Sequence, residues 1–330
     1  MSDSMSQTTM CCRVCGAQSL AKIFPLRELM FASDEVFDYV CCANCGCLQI
    51  VAIPTDLARH YPANYYSQKP HDEPLPHSGV KGWISRRYCA LAALAPLSVS
   101  AAMMRALLPE PGDFAEYGEY LREAKLNSVS ERILDVGCGA SPRRLAAMKR
   151  CGFTSVEGID PFAPADLVYF GVPVRKLTID QVQGQFGLVM FHHSLEHVPD
   201  PVAALREAAR LLRPGGTCLV RIPVMGTYFW RHFGECWAEL DAPRHLHLLS
   251  LEAMGLLAAR TNFRVRRTVF DSEVWEIEAS ERYRRGESLV AAEPVDSTLR
   301  SQRARLVDQL NRLGNAGRAC FYLERQDLEL

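Results

Sequence analysis

Apolar runs and amphipathic stretches alternate along the last two hundred residues. Arg132–Val136 is a short apolar run that leads into Gly137-Cys138-Gly139-Ala140-Ser141-Pro142. The next stretch puts Leu145 and Met148 on one face and ends at Gly152. A short apolar run followed by a helical period predicts strand, turn and helix. Ser141 is expected as the N-cap and Pro142 as the first helical residue. Ser155–Ile159, Phe186–Phe191, Thr217–Ile222, Phe263–Phe270 and Arg318–Arg325 predict further strands. Pro201–Leu212, Leu251–Thr261 and Ser297–Leu313 predict helices, and Arg213-Pro214-Gly215-Gly216 predicts a turn between helix and strand. Strands that alternate with helices predict an α/β fold of the doubly wound, Rossmann-like kind.

The first 130 residues follow another pattern. Asp38–Val40 and Leu48–Val51 predict strand, Trp83–Leu108 a helix broken near Pro96, and Phe114–Lys125 a second helix. Pro70–Gly79 holds three prolines and is expected to be loop. Tyr61, Tyr65 and Tyr66 are read as packing between the N-terminal module and the next domain, with a substrate entrance as the alternative. Cys89–Leu108 carries no charge before Arg105 but is rich in alanine, with a proline and two serines, so a soluble helix is expected. The organisation expected is a module over residues 1–60, a helical linker over 61–129 and an α/β domain over 130–330.

Charge narrows the function classes. Thirty-seven basic and thirty-eight acidic residues leave a net charge of −1. That balance argues against broad adhesion to nucleic acid or an anionic membrane. The first ten residues lack the basic and apolar regions of a secretion signal, so a cytoplasmic location is expected.

Thirteen cysteines are present, and seven of them lie between Cys11 and Cys47. Two matching knuckles, Cys12-Arg-Val-Cys15-Gly16 and Cys42-Ala-Asn-Cys45-Gly46, can each supply two thiolates from one tight turn. Cys12, Cys15, Cys42 and Cys45 are therefore expected to hold a structural Zn2+ in a zinc ribbon. Cys11, Cys41 and Cys47 lie outside the paired register. So small a segment cannot build enough core without such a staple.

The glycine turn points to a nucleotide-like ligand. Asp160 ends the second strand about twenty residues after the glycines, where a carboxylate can accept from a ribose diol. Pro142 stands where a dinucleotide motif has its third glycine, which counts against NAD. Asp135 just before the turn would repel a pyrophosphate and suits a cationic ligand.

Asp135-Val-Gly137-Cys138-Gly139 with Asp160 resembles the class I S-adenosylmethionine (SAM)-dependent methyltransferases. The strand Phe186–Phe191, the segment Leu195-Glu196-His197-Val198 and the turn Leu212-Arg-Pro-Gly-Gly216 resemble the same family. The resemblance implies a seven-stranded sheet whose last two strands form an antiparallel edge. It implies SAM contacts from Asp135, Gly137, Cys138, Gly139, Ser141, Asp160, His192 and, more loosely, Leu177. Two departures are Ser141, where a third glycine often stands, and Gly187, where an acid is usual. With its ribbon the chain also resembles a bacterial subgroup linked to sugar and surface-polysaccharide modification.

Methyl transfer to an alcohol needs a base, and histidine suits neutral pH. His245 and His197 are the candidates, with Glu196 orienting. His245 is favoured because related sugar methyltransferases place a histidine at this point in the chain. Arg244 is expected to bind an anionic group of the substrate, and His247 to share the pocket. A metal held by His192, His193 and His197 is not expected, because a strand-to-loop stretch lacks helical ligand spacing. The expected function is methyl transfer to a small-molecule hydroxyl or carbon, a sugar or glycan precursor. The alternatives are an RNA methyltransferase with the ribbon as grip, and a non-catalytic SAM-binding partner protein. Against RNA stand the charge balance and the lack of an Asn/Asp-Pro-Pro-aromatic motif.

Overall fold

A computed structural model describes residues 7–33, 35–61, 78–289 and 297–326. Tyr65, Tyr66 and most of the Pro70–Gly79 loop lie outside the described residues. The N-terminal strands are β1 (Gln7–Cys11), β2 (Gln18–Arg27), β3 (Val36–Cys41) and β4 (Leu48–Ile50). Helices α1 (Gly79–Leu94), α2 (Val99–Leu107) and α3 (Gly112–Glu123) follow, with the break at Pro96 where expected. Then come β5 (Ile133–Val136), α4 (Arg143–Arg150), β6 (Val156–Ile159), β7 (Leu167–Tyr169), β8 (Val172–Arg175) and β9 (Phe186–His192). The remainder is α5 (Pro201–Leu211), β10 (Leu212–Pro223), α6 (Tyr228–Phe233), β11 (His247–Leu248), α7 (Leu251–Arg260), β12 (Phe263–Phe270), α8 (Val274–Arg284), α9 (Ser297–Arg312) and β13 (Arg318–Arg325).

The main sheet has the order β12-β13-β10-β9-β5-β6-β8-β7. It is a mixed sheet flanked by helices, of the α/β kind that the resemblance implies. β13 runs antiparallel to both β10 and β12, while β9, β5, β6 and β8 pair in parallel. Eight strands stand where seven were expected. The extra one is β7, a three-residue edge strand antiparallel to β8. Period-two alternation splits the central strands between two cores. Leu134, Val136, Val189 and Phe191 pack with α5 and α7 on one face. Ile133, Leu188 and Met190 pack with α1, α3 and α4 on the other. Each fully buried side chain of this size contributes about 1.5–3 kcal/mol by leaving water.

Three local expectations change. Helix α4 begins at Arg143 with Pro142 as its cap residue and no side-chain cap, so Ser141 lies one position outside the helix. Arg213–Gly216 lies inside β10 as an irregularity in its pairing with β9. Helix α8 was not read from the sequence, because Glu276 and Ser280 are buried on it and blur its apolar stripe.

The ribbon strands form a second, antiparallel sheet of order β1-β2-β3-β4-β11. Its last strand comes from far along the chain: His247 and Leu248 pair with Gln49 and Leu48. The two knuckles therefore sit against α7. Ser250 Oγ, the N-cap of α7, donates to Cys45 O at 2.5 Å, and Arg260 donates to Val14 O.

Candidate active site and cysteine cluster

The cysteine cluster has the dimensions of a tetrahedral metal centre. Cys12 Sγ lies 3.7 Å from Cys45 Sγ, and Cys15 Sγ lies 3.7 Å from Cys42 Sγ. Sulfurs on one Zn2+ at 2.3 Å stand about 3.8 Å apart. All four ligating atoms lie within 4.8 Å of one another. The knuckles are built alike: Gly16 N donates to Cys12 O and Gly46 N to Cys42 O, both at 2.8 Å. Cys11 and Cys41 point their thiols at Gly16 O and Gly46 O instead. Hydrogen bonding from Cys45 and Cys47 pulls the Cys12 thiol far below its usual range, while the same contact pushes Cys45 up. A divalent cation is the group whose charge lets four such neighbours ionise together.

The glycine turn lies at the carboxyl ends of β5 and β6, where open α/β sheets hold ligands. Gly137 has φ +71°, and a Cβ there would fall 2.6 Å from Ser194 Cβ. Ser194 is held in place by donating from Oγ to Val136 O at 2.6 Å. Gly158 on β6 is required for a different reason: a Cβ there would fall 2.4 Å from Cys138 Sγ. The turn hangs on β6 through Gly137 N and Cys138 N, which donate to Ile159 O at 2.8 and 3.2 Å. Asp160 accepts from Gly139 N at 2.9 Å and from Phe162 N at 2.8 Å.

Asp135 is wholly buried, and burial raises its pKa against the pull of Arg144. Arg144 donates to its Oδ2 at 2.7 Å, but Oδ1 is buried with no partner among the described residues. That orphaned oxygen, the glycine turn and Asp160 fit the cationic, ribose-bearing ligand that the family uses. Ser141 and Leu177 flank the turn and the end of β8 respectively. Leu177 N donates to Arg175 O and its side chain packs against the core. His192 Nε2 lies 3.3 Å from Tyr120 Oη. Burial, with Arg144 and Arg221 nearby, drives His192 well below its usual pKa.

A second polar group is built where β9 leaves the sheet. His193 turns the chain out with φ +54°. Arg221, whose Nε donates to Asp271 Oδ2 at 2.5 Å, also donates to His193 Nε2. His193 must then carry its proton on Nδ1, which donates to Glu196 Oε1 at 3.3 Å. Burial pushes Glu196 well above the usual carboxylate range. His197 and His245 stack edge to face beside it, with ring centroids 4.7 Å apart. Burial drives the His197 pKa down to about 3 and lowers His245 as well. Both imidazoles are neutral near pH 7.

Two expected substrate contacts are spent inside the chain. Arg244 is 1% exposed and donates to Glu28 Oε1 at 2.7 Å, to Asp241 Oδ1 at 2.5 Å and to His60 O at 3.1 Å. Its guanidinium ties the ribbon to the α/β domain, and this internal set takes the place of a substrate anion. His247 Nε2 donates to Val198 O at 2.9 Å from within β11, so the ring faces the protein. Tyr61 is the surviving tyrosine of the linker reading. Its Oη lies 3.1 Å from His197 Nδ1, and its ring stacks with Phe162. Tyr120, Arg144, His193, Ser194 and Arg221 were missed in the sequence. The doublet His192-His193 was the one signal available; His192 was expected as a SAM contact, and His193 was weighed only as a metal ligand.

Residues 111–268 match the family model of a methyltransferase domain, and the chain carries a class I SAM-dependent methyltransferase domain. A ubiquinone biosynthesis O-methyltransferase of Pseudomonas aeruginosa is 40% identical over 100 residues, covering 27% of this chain and 42% of that protein. One of the same name from Bordetella avium is 34% identical over 111 residues, covering 30% and 45%. The chain thus spans less than half the length of these curated relatives. A SAM-dependent methyltransferase structure from Archaeoglobus fulgidus is 17% identical, with 64% of this chain and 92% of that one covered at a TM-score of 0.43. Among the described residues no helix is long and apolar enough to cross a membrane.

Proposed function

We propose that the chain moves a methyl group from SAM to a hydroxyl of a small molecule, with a sugar or glycan precursor as the acceptor class. The observation that carries this reading is one junction. Ser194 closes on Gly137 of the cofactor turn, and two residues later Glu196 opens the group that includes His197 and His245. SAM supplies a methyl already activated on a sulfonium. Asp135 and the turn made by Gly137, Cys138, Gly139 and Ser141 would hold its methionine part, Asp160 its ribose, and Leu177 and His192 its flanks. The Glu196–His197–His245 group would take the acceptor proton, because two neutral imidazoles are able to accept one. Alignment of the acceptor beside the turn supplies the rest of the rate. Oxygen is favoured over carbon because the curated relatives are named as O-methyltransferases. The sugar class rests on the ribbon-bearing resemblance. The ribbon's four cysteines would hold structural Zn2+, over a module spanning residues 1–60 with a linker over 61–129.

The test is methyl transfer from labelled SAM to a panel of sugar nucleotides and phenols. His245→Ala should lower kcat by about 10²–10⁴-fold, the usual worth of a positioned base, while leaving SAM affinity intact. Equal turnover in the variant removes His245 from the chemistry.

A further inference from the structure

Resting on the reading that the acceptor docks beside this group, with a metal ion in place of the imidazole base, we propose that Glu196, His197 and His245 together hold a divalent first-row metal ion, separate from the ion of the cysteine cluster. One ligating atom of each lies within 4.8 Å of the other two. His245 Nε2 stands 4.0 Å from Glu196 Oε1 and 4.0 Å from Asp241 Oδ2. Ligands on one such ion stand about 3–4 Å apart, so side-chain shifts of about 1 Å close the set.

The hydrogen bonds behind the rings choose the tautomers. His245 Nδ1 lies 2.7 Å from Glu239 O, and His197 Nδ1 lies 2.8 Å from Arg244 O. A carbonyl only accepts, so each Nδ1 carries its proton and each Nε2 keeps a bare lone pair. Metal-binding histidines are oriented in this manner, with a backbone carbonyl behind the ring. Independently, Glu196 Oε2 is buried with no partner among the described residues, on a side chain 1% exposed. A core carboxylate oxygen without a partner calls for a ligand. Its other oxygen is already steadied by His193, as a ligating carboxylate usually is. Two imidazoles and one carboxylate suit Fe2+, Mn2+, Co2+ or Zn2+ and leave positions open to oxygen.

An acceptor hydroxyl in such an open position would give its proton to water more readily. The oxygen lone pair then forms the new O–CH3 bond, the S–CH3 bond breaks, and its electron pair stays on sulfur as a neutral thioether.

The experiment titrates Co2+ into the full-length, zinc-loaded protein, read by visible absorption and calorimetry. One further equivalent should bind, with the weak bands of nitrogen and oxygen ligation rather than intense thiolate charge transfer. Glu196→Gln and His197→Gln should weaken that binding tenfold or more, with circular dichroism confirming their fold. A metal content that stays at one per chain, or Co2+ binding equal in wild type and both variants, overturns the proposal. Loss of turnover in His245→Ala without a second metal leaves the imidazole base standing and removes only the metal. A bound second metal with unchanged turnover in that variant keeps the metal site and removes the acceptor-side reading.

Discussion

The two halves of the site are made in opposite ways. The cofactor half is closed by residues near one another in sequence: Gly137, Cys138 and Gly139 all bond to Ile159 or Asp160, with a longest separation of 22 residues between Gly137 and Ile159. The acceptor half is assembled from afar. Tyr61 reaches His197 across 136 positions, Arg244 reaches Glu28 across 216, and Tyr39 Oη donates to His245 O across 206. Three of these ties come from the ribbon and the residues just after it. The cofactor turn can form once β5 and β6 pair. The group of Glu196, His197 and His245 is tied to the ribbon through the 241–247 loop.

That contrast can be broken most severely at Arg244. Arg244→Met leaves Glu28 and Asp241 buried without their cation, and losing one partner of a buried ion pair costs about 3–5 kcal/mol. Denaturant titration should show one cooperative transition moved down by that amount. An unmoved midpoint would mean that ribbon and α/β domain fold independently. Asp160→Ala probes the other half. Calorimetric SAM affinity should fall about 5–150-fold, the worth of a buried polar contact of about 1–3 kcal/mol. The unfolding midpoint should stay close to wild type, and a large drop in stability would make Asp160 a structural brace only. The smallest effect is expected at Glu131, two residues before β5. Burial pushes this carboxyl up, but the Arg213 hydrogen bond, the Asn127 amide and the Arg213 charge together outweigh it, and its pKa is lowered from 4.5. A depressed carboxyl adds stability above pH 4.5 and loses it as pH falls through the folded value. Arg213→Met should therefore cost less than about 1 kcal/mol at neutral pH and begin acid unfolding at higher pH. Identical acid profiles would show the pair to be inert.

Legibility followed the same division. The glycine turn was readable because its requirements are local: a positive φ at Gly137, an acid at the end of β6, apolar runs between. β12 and β13 were readable to the residue because aromatic and other apolar residues recur along the eight positions of each. Arg244 was misread because a lone arginine in a polar segment says nothing of the glutamate 216 positions earlier that neutralises it. The tautomer of His193 depends on Arg221 and Asp271, neither of which its neighbours announce. The short β7 and the polar-faced α8 escaped because tertiary contacts, rather than periodicity, hold them.

β11 carries a last consequence. Without its two residues, β4 would present a bare row of backbone donors and acceptors beside apolar Leu48 and Ile50. Such an open edge is a template for joining another chain. A ribbon cut away from residues 247–248 is thus expected to self-associate into aggregates.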